Sequence, residues 1–368
     1  MFQMFMWTIA YRPVLNFYVE KMPGGMAPGT NESIVPHHLE HVYLRLQPIF
    51  SWTVLTTGLV GLAGNLLTLL VYIKLGLTHT IHMSYAALAL SDLCCVLTSM
   101  MCGLSVMKAV TNHLNIRAVT FSSSTFTAMI ADYPHMAFSR TTALLTAWIS
   151  VERCLCVLFP TRVKLLISRT INRAVIASIF IIGCCPIVLA YFQHKFARQF
   201  DPDNNSTSLV FYVSSSREVM FLYGLAFLLY GFVYPLSSWV TVFVCTTLLV
   251  NRLRQKAAWR KLNARGRTPR NLGPEAGRKQ QLSSREDRIT KTVVIVASIF
   301  IVCSLPISAN LFAVLFEEEY HLMGPYRYLY MINSMVCFML SQLNSSLNVF
   351  VFALMGSKFR SVLCGMFS

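Results

Sequence analysis

Polar and apolar positions divide this chain into seven long apolar runs separated by shorter polar ones. Each run is near or above the roughly 20 residues that an α-helix needs to cross about 30 Å of hydrocarbon. The clearest lies between Arg45 and Lys74 and contains no charge. The second, from about Met83 to Met107, has Asp92 as its one charged residue. The third, from about Thr125 to Phe159, is the most polar: Asp132, His135 and Arg140 precede an adjacent Glu152-Arg153. The last four cover about Asn172 to Phe192, Val219 to Val250, Thr290 to Phe316 and Tyr328 to Phe352. Helices satisfy every backbone polar group internally, so runs of this length predict an all-α membrane protein, a seven-transmembrane helix bundle. Ser357 to Leu363 mixes basic and apolar residues and predicts a short amphipathic eighth helix. The expected divisions are a tail over 1–47, the seven-helix domain over 48–353, with a long loop at 251–288, and the short helix and tail over 354–368.

Charge then orients the bundle. The chain is 55% hydrophobic and 12% charged, against roughly 25% charged in a soluble domain. Its net charge of +16 is carried by residues interleaved with uncharged runs, not with base-stacking platforms, so nucleic acid is set aside. With the amino terminus outside, 21 of the 31 basic residues fall inside, beside four acids, Glu152, Glu275, Glu286 and Asp287. Positive-inside insertion predicts that asymmetry. The expected place is the plasma membrane, multi-pass, with the carboxyl terminus cytoplasmic. The 251–288 loop is basic; its ends continue the flanking helices, and its middle is expected to be disordered. Attraction to anionic membrane lipid accounts for its charge as well as a protein partner does. Met1 to Ala10 lacks the basic flank of a signal peptide, so an uncleaved tail is expected. The sequons at Asn31, Asn204 and Asn205 fall outside and make the chain a candidate glycoprotein. A further sequon at Asn344 lies within an apolar run and is expected to stay unmodified. Cys364, after the amphipathic stretch, is either a palmitoylation site or an unmodified thiol.

Several local strings occur in a fixed order. Gly64-Asn65 lies in the first run, Leu88-Ala89-Leu90-Ser91-Asp92-Leu93 in the second, and Glu152-Arg153-Cys154 closes the third, with Pro160 after it. Pro235 lies in the fifth, Cys303-Ser304-Leu305-Pro306 in the sixth and Asn348-Val349-Phe350-Val351-Phe352 in the seventh. Together they resemble the rhodopsin-like, class A G-protein-coupled receptors. Cys154 to Thr161 and the closing Asn344 to Phe350 are similar to the chemosensory receptors of gastropod molluscs, with invertebrate neuropeptide receptors as the near alternative. The resemblance implies an extracellular small molecule or peptide ligand, a heterotrimeric G protein and arrestin as partners. It also implies an Arg153 to Glu286 contact that locks the third and sixth helices at rest. Glu286 precedes Pro306 by twenty residues, about 30 Å of helix, which places it at the same membrane edge as Arg153.

Asp92 lies nine residues past Met83, about 14 Å into the membrane, where a carboxylate costs roughly 2.5–3.5 kcal/mol and needs partners. By resemblance these are Asn65, Thr142, Ser345 and Asn348 around an allosteric sodium ion, the one cofactor-like group expected. A protonated or water-bound Asp that joins helices is the other reading. The chain departs from the family at its switch positions. Ser304 stands where tryptophan is usual, and Val349 and Phe352 replace the proline and tyrosine of the seventh-helix motif, while Pro235 and Pro306 are retained. No cysteine lies between Phe192 and Glu218, so the family's usual outer disulfide is not expected.

The candidate ligand residues are Asp132, His135, Met136, Ser139 and Arg140. The family's amine receptors have an aspartate eighteen residues before the arginine; His135 occupies that position, which argues against a simple amine. An intramembrane Arg is a functional-site hypothesis by default, and its planar fork suits a carboxylate or phosphate; internal pairing of Arg140 is the alternative. Glu317-Glu318-Glu319 is either a solvated loop or a patch that steers cationic peptides. The chain lacks His-Glu-x-x-His and Gly-rich phosphate loops, so an enzyme is not expected. A membrane transporter is the rival class, since Asp92 and Arg140 would line a path.

Overall fold

The computed structural model describes residues 37–107, 128–159, 167–192, 194–201, 206–213, 216–264, 274–317, 319–320, 324–355 and 357–366. Seven helices among these are long and apolar enough to cross a membrane. They are built from α1 (His37–Leu75), α2 (Thr80–Val106), α3 (Tyr133–Leu158), α4 (Arg169–Tyr191), α5 (Arg217–Leu228) continued by α6 (Tyr234–Ala264), α7 (Pro274–Phe316) and α8 (Arg327–Met355). The short helix α9 spans Ser357–Cys364. Helix α1 begins at His37, well inside the stretch assigned above to the tail. Much of the 251–288 loop is helical, because α6 runs to Ala264 and α7 starts at Pro274. Its middle, like the sequons at Asn31, Asn204 and Asn205, falls outside the described residues.

Prolines shape the helices in a way that follows from their chemistry. A helix-interior proline donates no N–H and its ring crowds the carbonyl four residues earlier. Two π-helical turns, Ala128–Asp132 and Leu229–Val233, sit directly before Pro134 and Pro235 and contain the carbonyls of Ile130 and Gly231 that those rings would strike. In α4, Pro186 leaves the Ile182 carbonyl without its helical donor. The Tyr234 hydroxyl donates to that oxygen at 3.0 Å, and the Tyr230 hydroxyl donates to the Gly183 carbonyl at 3.0 Å. The fifth span is thereby fixed to α4. In α8 no proline interrupts Arg327–Met355.

Small residues set the close approaches. A Cβ on Gly61 would strike Ser346, and one on Gly64 would strike Val349, so α1 lies against α8 only because both positions lack side chains. Gly183 admits Thr141 of α3 in the same way. Helix α3 is the centre of the bundle, packing on α2, α4, α6 and α7, while α1 and α8 close the ring through α2. At the end that carries Glu152 and Arg153, Tyr72 and Phe352 meet Phe359 of α9 with ring centroids 5.7 and 6.3 Å apart, and Tyr85 meets Phe352 at 4.7 Å. At the opposite end, β1 (His194–Asp201) pairs antiparallel with β2 (Ser206–Val213). This hairpin is the one described element that departs from an all-helical reading.

Candidate functional site

Buried polar residues run from Asp132, at the end of the π-helical turn, along α3 to Glu152, and three groups form on this column. The first surrounds Asp92. Its carboxylate is fully buried and accepts from the Thr142 hydroxyl at 2.9 Å and from the Asn348 amide at 2.7 Å. Thr142 also meets Ser91 at 3.0 Å, and the Asn65 amide donates to the Ser345 carbonyl at 2.9 Å. The structure thus brings Asp92 of α2 together with the four residues expected around it, from α1, α3 and α8. The Oδ1 of Asn348 is buried without a hydrogen-bond partner. A carboxylate, hydroxyls and an orphaned amide oxygen form an all-oxygen donor set, which fits a hard monovalent cation.

The second group is a cavity of about 30 Å³ lined by Ser139 and Arg140 of α3, Ser304 and Ser308 of α7, and Ser341 and Asn344 of α8, with Pro235 and Phe300 among its apolar walls. Ser139 meets Ser341 at 3.0 Å across it. Arg140 is 6% exposed, and its Nε has no partner. The other candidate ligand residues are directed elsewhere. Met136 packs among Tyr133, Tyr223, Tyr230 and Tyr234. His135 is held by the Cys95 carbonyl at 3.1 Å and stacks on Phe338 with centroids 4.5 Å apart. Asp132 accepts from the Cys102 thiol at 2.9 Å. Of the switch positions, Ser304 and Pro235 line the cavity and Phe352 is buried in the aromatic cluster on α9. Pro306 lies within α7, where its carbonyl is met by the Cys337 thiol at 3.7 Å.

The third group is at the Arg153 end. Glu152 is fully buried; one oxygen accepts from Arg153 at 2.8 Å and the other from Ser84 of α2 at 2.9 Å. Asn172 of α4 completes the support by accepting from Trp148 at 2.7 Å and donating to the Thr80 carbonyl at 3.0 Å. Arg153 therefore rests on its own neighbour. The side chain of Glu286 lies outside the described residues, and the adjacent Asp287 meets Lys256 at 3.7 Å, joining α7 to α6. Cys364 is exposed at the end of α9. Among the described residues no cysteine is in a disulfide.

Residues 64–352 match the family described as "7 transmembrane receptor (rhodopsin family)". The chain belongs to the rhodopsin family of seven-transmembrane receptors. Membership decides between receptor and transporter in favour of the receptor. This rhodopsin-family receptor is 22% identical over 312 residues to the galanin-like G-protein coupled receptor npr-9 of Caenorhabditis elegans, a match covering 82% of this chain and 69% of that protein. Its fold is similar to that of squid rhodopsin, with a TM-score of 0.59 at 16% identity over 88% of this chain and 85% of that one.

Sequence reasoning missed several residues that the receptor brings to its core. Ser84 holds Glu152 and is itself met by Asn172, which accepts from Trp148, and Ser308, Ser341 and Asn344 line the Arg140 cavity. A signal for the last set was present. Ser341, Asn344, Ser345 and Asn348 recur at three- and four-residue spacing through an apolar run, which marks one polar face on a membrane helix.

Proposed function

We propose that this receptor sits in the plasma membrane with its amino terminus outside, binds an extracellular ligand at the hairpin half of the bundle, and activates a heterotrimeric G protein at the Arg153 end. One observation carries the reading: Arg140, Thr142 and Glu152 lie on the single helix α3, and each belongs to a different polar group that reaches neighbouring helices. A displacement of α3 would be felt by all three. Ligand and G protein would then bias the same two-state equilibrium from opposite ends. A sodium ion held by Asp92, Thr142, Ser345, Asn348 and Asn65 would favour the resting state. The ion supplies positive charge to a buried carboxylate, and the helices supply the remaining oxygen donors.

The ligand we favour is a chemosensory small molecule carrying a carboxylate, for which Arg140 is the recognising group. A peptide is the second reading, and two observations favour it. The relative named above is a galanin-like receptor. Among the described residues the two-stranded sheet has both edges free of a third strand, which an extended peptide can join. Exposed Glu317 and Glu319 at that end would attract a cationic one.

The test is G-protein nucleotide exchange in membranes containing this chain, against a panel of small acidic odorants, amino acids and amidated peptides. A response to acids but not peptides supports the first reading, and the reverse supports the second. Surface-expressed protein that answers no compound with any G protein would overturn both.

A further inference from the structure

Arg140 is a buried cation. It is 6% exposed, and among the described residues no carboxylate lies within ion-pair distance of it. A guanidinium stays charged in proteins and presents five donors with no acceptor, so burying it unpaired is costly. The cavity beside it is lined by hydroxyl and amide groups and by no carboxylate. Ser304 gives its proton to the Phe300 carbonyl at 2.6 Å and Ser308 gives its own to the Ser304 carbonyl at 3.1 Å, so neither hydroxyl has a proton left to donate there. Ser139 and Ser341 share one hydrogen bond, which leaves a proton of that pair to donate. Asn344 lines the same space, and its amide carries two N–H donors beside one oxygen acceptor. At about 30 Å³ the cavity has room for one or two water-sized groups.

We propose that this cavity binds a small monovalent anion, with Arg140 as the counter-charge and the Ser139–Ser341 pair and Asn344 as neutral donors. Chloride from solution and the carboxylate of an extracellular ligand share the required chemistry: one negative charge, acceptors only, and a size the cavity admits. The inference deepens the proposed ligand site. Its readout needs neither agonist nor G protein, so it can fail while coupling stands, and the reverse.

The experiment is thermal unfolding of the purified full chain in nanodiscs at fixed sodium and ionic strength, with gluconate replaced stepwise by chloride, bromide or acetate. The expected result is a saturable rise in melting temperature of roughly 2–4 °C, lost in Arg140→Gln. Protection by chloride and bromide assigns a free halide; protection by acetate alone assigns a ligand carboxylate; both support the site. If Arg140→Gln does not fold, chlorine NMR line broadening on the wild-type chain, reversed by bromide, reads the same site. Absence of any anion effect on wild type, or an equal effect in Arg140→Gln, overturns the proposal.

Discussion

Glu152 and Asp92 are both fully buried carboxylates, and the donors each one meets decide what a substitution will cost. Ser84→Ala removes the donor to one Glu152 oxygen and leaves the other bonded to Arg153. A lost hydrogen bond to a charged group is worth about 1.5–3 kcal/mol, so the variant should melt measurably lower in detergent while remaining folded. Asp92→Asn makes a different prediction. Titrating sodium against potassium at constant ionic strength should raise the melting temperature of wild type and leave the variant flat. An equal response in both would place any sodium effect elsewhere. At this scale the sequence was most legible where charge interrupts an apolar run, because such a residue must find partners wherever the helices lie. It was least legible for neutral residues such as Ser84 and Asn172, whose roles depend on which helix faces them.

Helices are bent and joined here by proline and glycine chemistry. Tyr234→Phe should orphan the Ile182 carbonyl that Pro186 frees, costing about 1–3 kcal/mol; calorimetry or thermal melting would measure it. Gly183→Ala should cost about 1–3 kcal/mol by driving a Cβ into Thr141, and the loss should shrink when Thr141 is also made Ala. The apolar runs gave the helices and their order because length alone identifies a span. Their ends were less visible: α1, α6 and α7 extend past the apolar region, since polar helix outside a membrane leaves no hydropathy signal. The β-hairpin had a signal that was passed over, Pro202-Asp203-Asn204-Asn205 between two runs suited to strands.

Across the whole molecule, α3 links the Arg140 cavity, the Asp92 cluster and the Glu152-Arg153 pair, and the coupling proposed for this receptor rests on that continuity. The family's altered switch positions fit into the same frame. Ser304 opens onto the cavity, and Phe352 substitutes ring packing against Tyr72, Tyr85 and Phe359 for a hydroxyl. What the family membership adds to the fold is an expectation of exchange activity at the Arg153 end, which neither packing nor burial can supply. The most direct measurement is therefore nucleotide exchange on purified heterotrimeric G proteins by the chain reconstituted in vesicles, beside Arg153→Ala and Glu286→Ala. The account predicts exchange above the empty-vesicle level, lost in Arg153→Ala and raised several-fold in Glu286→Ala. Exchange that is unchanged in Arg153→Ala at equal folded protein would contradict it.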